Sequence, residues 1–357
     1  MKSPTRRAQE RGGRAATPAG SAVRAGLLAS TSGSRPAAFK GARVLVTGGA
    51  GFLGSRISAS LLELGARVVV LDDLTTGRRE LIPKGIHRFV HNSVTDAHEL
   101  RRWVRWSDYV FHLAARVLAS STRDIMADYS VNIGGMLNVL TIAREMGREA
   151  PRIVYTSTSS VYGNPRSLPI TEDDPVNILS PYAASKHAAE SYCSAFFEMH
   201  SLPLSWVRYS NVYGPHQSPL NPYCGVISKF IEASLEGRAM TIHGSGMQTR
   251  DFTYVDDAVA ATLLAAVTPR ALGEVINVGS GMETSVRELC RLVARATGRE
   301  ESVTFVDRRD IDNVQRRVLN IEKARRILGW IPNIPLEVGL LETVKWILSL
   351  PARRDAS

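Results

Sequence analysis

The stretch "ARVLVTGGAGFLGSRISASLLELGARVVVLDDLTTG" occupies residues 42–77 and repeats glycine at every third position, Gly48, Gly51 and Gly54. A glycine triplet is a weak signal alone. Here it follows the apolar run 43–48, opens a helical pattern over 52–65, and is followed by a second apolar run, 67–72, that ends in an acid, Asp72. That context is the one a dinucleotide needs. Gly48 allows a tight turn off the strand, Gly51 lets backbone approach a pyrophosphate, and Gly54 lets the helix pack on the sheet. The helix N-terminus offers free N–H groups and partial positive charge to the phosphates. Asp72 can accept hydrogen bonds from ribose hydroxyls and repels a 2′-phosphate, which favours NAD over NADP. Arg78 and Arg79 follow and are read as solvated loop charge.

Working outward, short apolar strands alternate with helices. Residues 87–94 read as a third strand, 108–115 as a fourth, 125–147 as one long helix, 152–158 as a fifth strand, 181–200 as a helix and 204–210 as a sixth strand. This alternation predicts an α/β fold with a doubly wound parallel sheet. Beyond 211 the pattern loosens around Pro and Gly clusters at 214–225 and 243–246. The expected division is a mainly dinucleotide-binding domain over 41–210. A smaller C-terminal substrate-binding region follows over 211–350, with segments returning to the first. It would lie at the sheet's carboxyl edge, where ligands of open α/β sheets bind.

Composition narrows the class. The 357 residues are 44% apolar and carry a net charge of +10. Residues 1–40 hold eight Lys/Arg and one acid, Glu10, so most of the charge belongs to a leader rather than to a nucleic-acid-binding fold. The leader has no hydrophobic period and is read as disordered. It is Arg- and Ser-rich like a transit peptide, but a non-conserved leader or an over-long start is the preferred reading. No apolar run approaches the roughly 20 residues of a membrane span. Cys193, Cys224 and Cys290 are widely spaced, as expected of buried or half-buried thiols in a reducing compartment. A cytoplasmic protein with no metal, no membrane and no nucleic-acid partner is expected.

Residues 180–190, "SPYAASKHAAE", hold the chain's only Tyr-x-x-x-Lys, Tyr182 and Lys186. On a helix the two share a face. An ordinary tyrosine on a surface helix is the competing reading. A phenol is a poor base at neutral pH. A neighbouring ammonium and a bound nicotinamide cation both favour phenolate, so the Tyr182 pKa is expected to fall. Thr158, at the end of the fifth strand, can hydrogen-bond the hydroxyl being deprotonated, and Lys186 can also hold the nicotinamide ribose.

With these residues in place, the chain resembles the extended short-chain dehydrogenase/reductase family, specifically its nucleotide-sugar epimerases and dehydratases. The resemblance covers about 43–332. It rests on "VTGGAGFLG", "LDDLTTG", "HLAA" (112–115), "STSSVYG" (157–163), "SPYAASK" (180–186), "RYSNVYGP" (208–215), "GMQTRDFTYVDD" (246–257) and "LGWIP" (328–332). It implies a Rossmann domain, tightly held NAD and a nucleoside-diphosphate sugar as substrate. Thr158, Tyr182 and Lys186 match the family's catalytic set. Gly48, Gly51, Phe52, Leu53, Gly54, Asp72, Ser93, Val94, Ala114 and Lys186 are the implied cofactor contacts. Ser93 stands where many relatives carry an Asp that contacts adenine. Asn211 matches a nucleotide-sugar contact and Arg250 the arginine on the diphosphate, a role suited to a guanidinium fork. Arg309 and Asp312 are the implied last nucleotide contacts, with the spacing shifted by one residue. His112 of "HLAA" is read as structural.

The family's 4,6-dehydratases follow the catalytic Thr with Asp-Glu, and its glucuronate decarboxylases place a Glu second. This chain has Ser159 and Ser160. The departure argues against both reactions, and the motifs resemble UDP-glucose 4-epimerases most. The resemblance then implies removal of the O4 proton by Tyr182, a 4-keto intermediate that turns in the pocket, and return of the C4 hydride to the opposite face. A 4-ketoreductase, a 4,6-dehydratase, a uronate decarboxylase, a glucuronate epimerase, a 3,5-epimerase using Cys224 and a non-catalytic NAD sensor are the alternatives. The intact Thr158–Tyr182–Lys186 set argues against the sensor. A homodimer through the 125–147 and 181–200 helices is implied by resemblance alone.

Overall fold

A computed structural model describes residues 36–217, 219, 225–308 and 314–350. The six expected strands form, as β1 (Arg43–Thr47), β2 (Arg67–Asp72), β3 (Arg88–His91), β4 (Tyr109–His112), β5 (Arg152–Thr158) and β6 (Leu204–Tyr209). A seventh, Val275–Val278, comes from beyond residue 211 and completes one sheet beside β6. The order is β3-β2-β1-β4-β5-β6 and then Val275–Val278, and every pairing is parallel. Residues such as Val44, Leu45 and Val46 are fully buried in succession because helices cover both faces of the sheet. The strand order reverses between β1 and β4, which opens a crevice at their carboxyl ends.

β3 and β4 are four residues each where the sequence suggests eight, and β1 and β6 are one residue shorter than expected. β3 stops at His91 because the Asn92 and Ser93 amides leave the ladder for the Val90 carbonyl and the Asn92 side chain. The region read as one long helix is α-helical over Ile125–Asp128, π-helical over Tyr129–Gly134 and α-helical again over Gly135–Met146. The buried Asn132 explains the widened turn. Its side chain accepts from the Arg116 amide (2.7 Å) and donates to Asp128 (2.7 Å) and to Ser185 (2.9 Å). A π-turn of this kind marks functional sites more often than bland helix.

Beyond residue 211, Asn211–Tyr213 pairs in parallel with Phe252–Tyr254, and Met240–His243 with Val303–Val306. Thr249–Arg250 pairs antiparallel with Thr284–Ser285. The helix Val255–Val267 is buried along nearly its whole length and joins these pieces to the sheet. Among the described residues, no helix is long and apolar enough to cross a membrane.

Candidate active site

The crevice is a groove lined by all ten residues the sequence assigns to the cofactor: Gly48, Gly51, Phe52, Leu53, Gly54, Asp72, Ser93, Val94, Ala114 and Lys186. Its floor is backbone. Gly48 has φ +69°, and a Cβ there would sit 2.7 Å from the Ala114 amide nitrogen. A Cβ at Gly54 would lie 2.2 Å from the Gly48 carbonyl oxygen. Gly54 therefore packs the helix against the glycine turn itself rather than against the face of the sheet. The helix Phe52–Glu63 begins at Gly51 with no side-chain cap, which leaves its first N–H groups to an anion.

Asp72 closes the far side. Its two oxygens accept from the Ala50 and Leu74 amides at 2.9 and 2.8 Å. Burial raises its pKa, and those two hydrogen bonds oppose the rise. Each oxygen keeps a lone pair for a sugar hydroxyl. The Ser93 hydroxyl accepts from the Thr95 amide and hydroxyl. Arg78 lies at the rim of the groove, and Arg79 turns away to sit 5.2 Å from the Phe89 ring.

The side of the groove that carries Tyr182 and Lys186 is built by the helix Pro181–His200. Ser180 caps it by accepting from the Ala183 amide (3.1 Å), and Pro181 takes a first-turn position that needs no donor. One turn inside, Tyr182 and Lys186 share the face toward the groove. Lys186 is buried, with Nζ 4.3 Å from the centre of the Tyr155 ring, a cation–π contact. Burial pushes its pKa down to about 8, while Glu190 and Asp128 act in the opposite direction. The ammonium form therefore still prevails at neutral pH.

The protein alone does not lower the Tyr182 pKa. The residue is half-buried at the groove, and burial pushes its pKa up to about 12, although a hydrogen bond with Thr158 opposes the rise. The lowered pKa expected from the sequence counts the Lys186 ammonium together with the bound nicotinamide cation; in the protein itself desolvation is the largest effect. Thr158 also accepts from the Ser160 amide (3.1 Å) and donates to the Ser160 hydroxyl (3.2 Å). Ser160 thus stands directly beside Thr158 as a neutral group, while Ser159 is buried.

A network behind Lys186 escaped the sequence reading. Glu190 takes both Arg208 Nε (3.0 Å) and Nη2 (2.7 Å), a buried bidentate pair. Burial works to raise the Glu190 pKa, but the hydrogen bonds from His187 and Arg208 win and hold it low. Arg208 also donates to the Tyr162 hydroxyl (2.9 Å), which donates to Asn277 (2.7 Å) on the seventh strand. The helical spacing of Glu190 after Lys186 is legible in sequence, but its partners lie on other elements.

Toward the C-terminal half, Asn211 opens the strand Asn211–Tyr213 opposite Phe252, so it lies near Arg250 along the chain's next segment. Arg250 is buried and donates to the Thr249 and Val314 carbonyls (2.8 and 2.9 Å). Between them Asp251, another residue the sequence reading missed, gathers the Ser280 amide and hydroxyl and the Gly281 and Leu319 amides. Arg309, Asp312 and Cys224 lie outside the described residues. Cys193 and Cys290 are buried free thiols. His112 is buried, bonded to Thr47 (3.0 Å) and held neutral by burial, which pushes its pKa down to about 3. It belongs to the scaffold. Among the described residues no group of three or more His, Cys, Asp or Glu could hold a metal ion.

A family model described as the NAD dependent epimerase/dehydratase family matches residues 44–279. The chain belongs to that family. NAD is accordingly its cofactor, and the glycine turn, the uncapped helix and Asp72 fit that group. A UDP-glucose 4-epimerase of Mycolicibacterium smegmatis is 39% identical over 311 residues, covering 85% of this chain and 98% of the relative. A UDP-N-acetyl-α-D-glucosaminuronate decarboxylase of Bacillus cytotoxicus is 33% identical, covering 85% and 97%. Among solved structures, a Thermus thermophilus UDP-glucose 4-epimerase in complex with NAD superposes with a TM-score of 0.79 at 36% identity, covering 86% of this chain and 99% of that one. Enzymes of this family thus include more than one reaction at similar distance from this chain.

Proposed function

We propose that the chain catalyses reversible epimerisation at C4 of a UDP-hexose, of the UDP-glucose/UDP-galactose type. The observation that carries this reading is the neutral Ser160 hydroxyl 3.2 Å from Thr158. No carboxylate stands at that position to assist chemistry beyond C4. The relatedness to UDP-glucose 4-epimerases supports it.

Gly48, Gly51 and the first turn of the following helix would hold the pyrophosphate. Asp72 would hold the adenosine ribose, Ser93 and Val94 the base, and Lys186 the nicotinamide ribose. When bound, NAD supplies a hydride acceptor and a positive charge beside the phenol. Tyr182 takes the O4 proton, with Thr158 hydrogen-bonded to the same hydroxyl region, and returns it after the sugar has turned. Lys186, cationic at neutral pH, favours the phenolate while Tyr182 holds its negative charge. By the family resemblance, the Arg250 guanidinium and Asn211 would grip the nucleotide-sugar diphosphate. Exposed Ile125, Met126 and Tyr129 on one helical segment, with Tyr192 and Met199 on the Tyr182 helix, support a homodimer through these helices.

The test is proton NMR of the purified protein with UDP-glucose, UDP-galactose, their N-acetyl and uronate forms and dTDP and GDP sugars. A C4 epimer at equilibrium, abolished in Tyr182→Phe, is the expected result. A 4-keto-6-deoxy product or loss of carboxylate would overturn the reading.

A further inference from the structure

His216 is absorbed by none of these roles, yet it lines the cofactor groove together with Gln217. Its φ is +77°, a left-handed conformation that few non-glycine residues adopt. The ring Nδ1 lies 2.9 Å from Ser55 Oγ, a contact between residues 161 apart in sequence. Ser55 is fully buried in the first turn of the glycine-rich helix, and its hydroxyl donates to the Phe52 carbonyl (3.0 Å). With that hydrogen committed, the Nδ1–H of His216 is the donor and Ser55 Oγ the acceptor. The ring is neutral, since burial and the Arg56 guanidinium push its pKa down to about 4. It also packs 5.8 Å from the Trp346 ring. Gln217 fixes the other end of the loop, donating to the Val212 carbonyl (3.2 Å) and accepting from Ser228 (2.8 Å). A strained residue held by so many partners points to a job.

We propose that His216 is a positioning residue that latches the loop after Asn211 onto the glycine-rich helix, and so keeps the dinucleotide in its groove while the sugar is a ketone. The purpose rests on the epimerase reading, because a reaction that returns its own hydride fails if the reduced cofactor escapes midway. The contact itself needs only the family's NAD.

The test is the release rate of bound NAD, measured by loading the holoprotein and chasing with excess unlabelled dinucleotide. His216→Ala and Ser55→Ala are each expected to release NAD about tenfold faster, the scale of one lost buried hydrogen bond. The double variant should release no faster than the faster single one, because both remove the same bond. His216→Asn keeps a residue that tolerates the left-handed backbone but is too short to reach Ser55. It should match His216→Ala in release rate, with the melting temperature of the cofactor-free protein lowered by no more than the few degrees that one lost hydrogen bond costs. Native release rates in His216→Ala or His216→Asn, or fully additive effects in the double variant, would overturn the latch. No sugar turnover enters these rates. A protein inert toward every UDP-hexose would sink the C4 reading and leave the latch to be decided by release alone.

Discussion

The two halves of the site recognise their ligands by different means. Along the groove from Gly48 to Asp72 the backbone makes the surface, and the glycines matter for what they lack. Around Tyr182 and Lys186 the side chains make it, and what matters is how each charge is compensated. A backbone site fails by steric intrusion. A charge site fails by losing a partner that lies far away in sequence. The expected effects of substitution differ accordingly.

The largest effect belongs to the charge side. Tyr182→Phe should lower turnover by about a thousandfold, the scale of a lost general acid–base group, while NAD binding stays within a few-fold. Steady-state kinetics beside a cofactor titration check both halves. Loss of cofactor instead of turnover would erase the contrast between the two regions. Next, Glu190→Gln leaves Arg208 buried with its bidentate carboxylate gone, and should destabilise the fold by about 3 kcal/mol in denaturant unfolding. It also removes a negative charge that holds the Lys186 pKa up, so the lysine's pKa should fall further below about 8.

On the backbone side, Gly54→Ala should cost roughly 1–3 kcal/mol of stability, because the added Cβ collides with carbonyl backbone that cannot rotate away. NAD content after purification should fall with it. Gly237→Ala is the control for backbone conformation: that glycine has positive φ, unlike helical Gly54, and nothing lies within 4 Å of its Cβ direction. It should cost about 1 kcal/mol and leave NAD bound. Gly54 has no positive φ, so a Gly54→Ala variant as stable as the native chain would mean that close approach does not govern the turn.

The smallest effect has an unusual sign. Lys186 has an ordinary pKa of 10.5 and one of about 8 in the fold. Between those values the unfolded chain binds a proton that the folded one does not, so this group makes stability rise with pH across that window. Below about 8 the full cost of burying the ammonium is present. Lys186→Met should therefore stabilise the cofactor-free protein at pH 7 by about 1 kcal/mol while abolishing turnover. The gain should shrink as pH rises from 8 toward 10.5. Melting curves of both proteins across that range check it, and a gain that grew with pH would show that Glu190 and Asp128 outweigh burial.

How much of this was legible depends on where each requirement lives. The six strands and the Pro181–His200 helix could be read because short apolar runs and a Ser-Pro start are local patterns. The seventh strand could not, since Val275–Val278 joins β6 across more than sixty residues and no short-range signal announces that neighbour. The π-turn at Tyr129–Gly134 was hidden for the same reason. Asn132 is drawn by Arg116 and Ser185, and the helical pattern alone continues smoothly through it.

The sequence by itself determined the parallel α/β fold and the glycine turn, and it put Tyr182 and Lys186 on one helical face as candidates beside Thr158. Those rest on backbone freedom and helical spacing within a few residues. Only the tertiary structure decided the chemistry of the site. It set the Tyr182 phenol high and the Lys186 ammonium low, paired Glu190 with Arg208, and seated His216 on Ser55. The physical reason is range. A glycine's permission is a property of its own φ and its immediate turn, whereas the energy of a buried charge depends on every group that packs around it, and the fold gathers those groups from the whole chain.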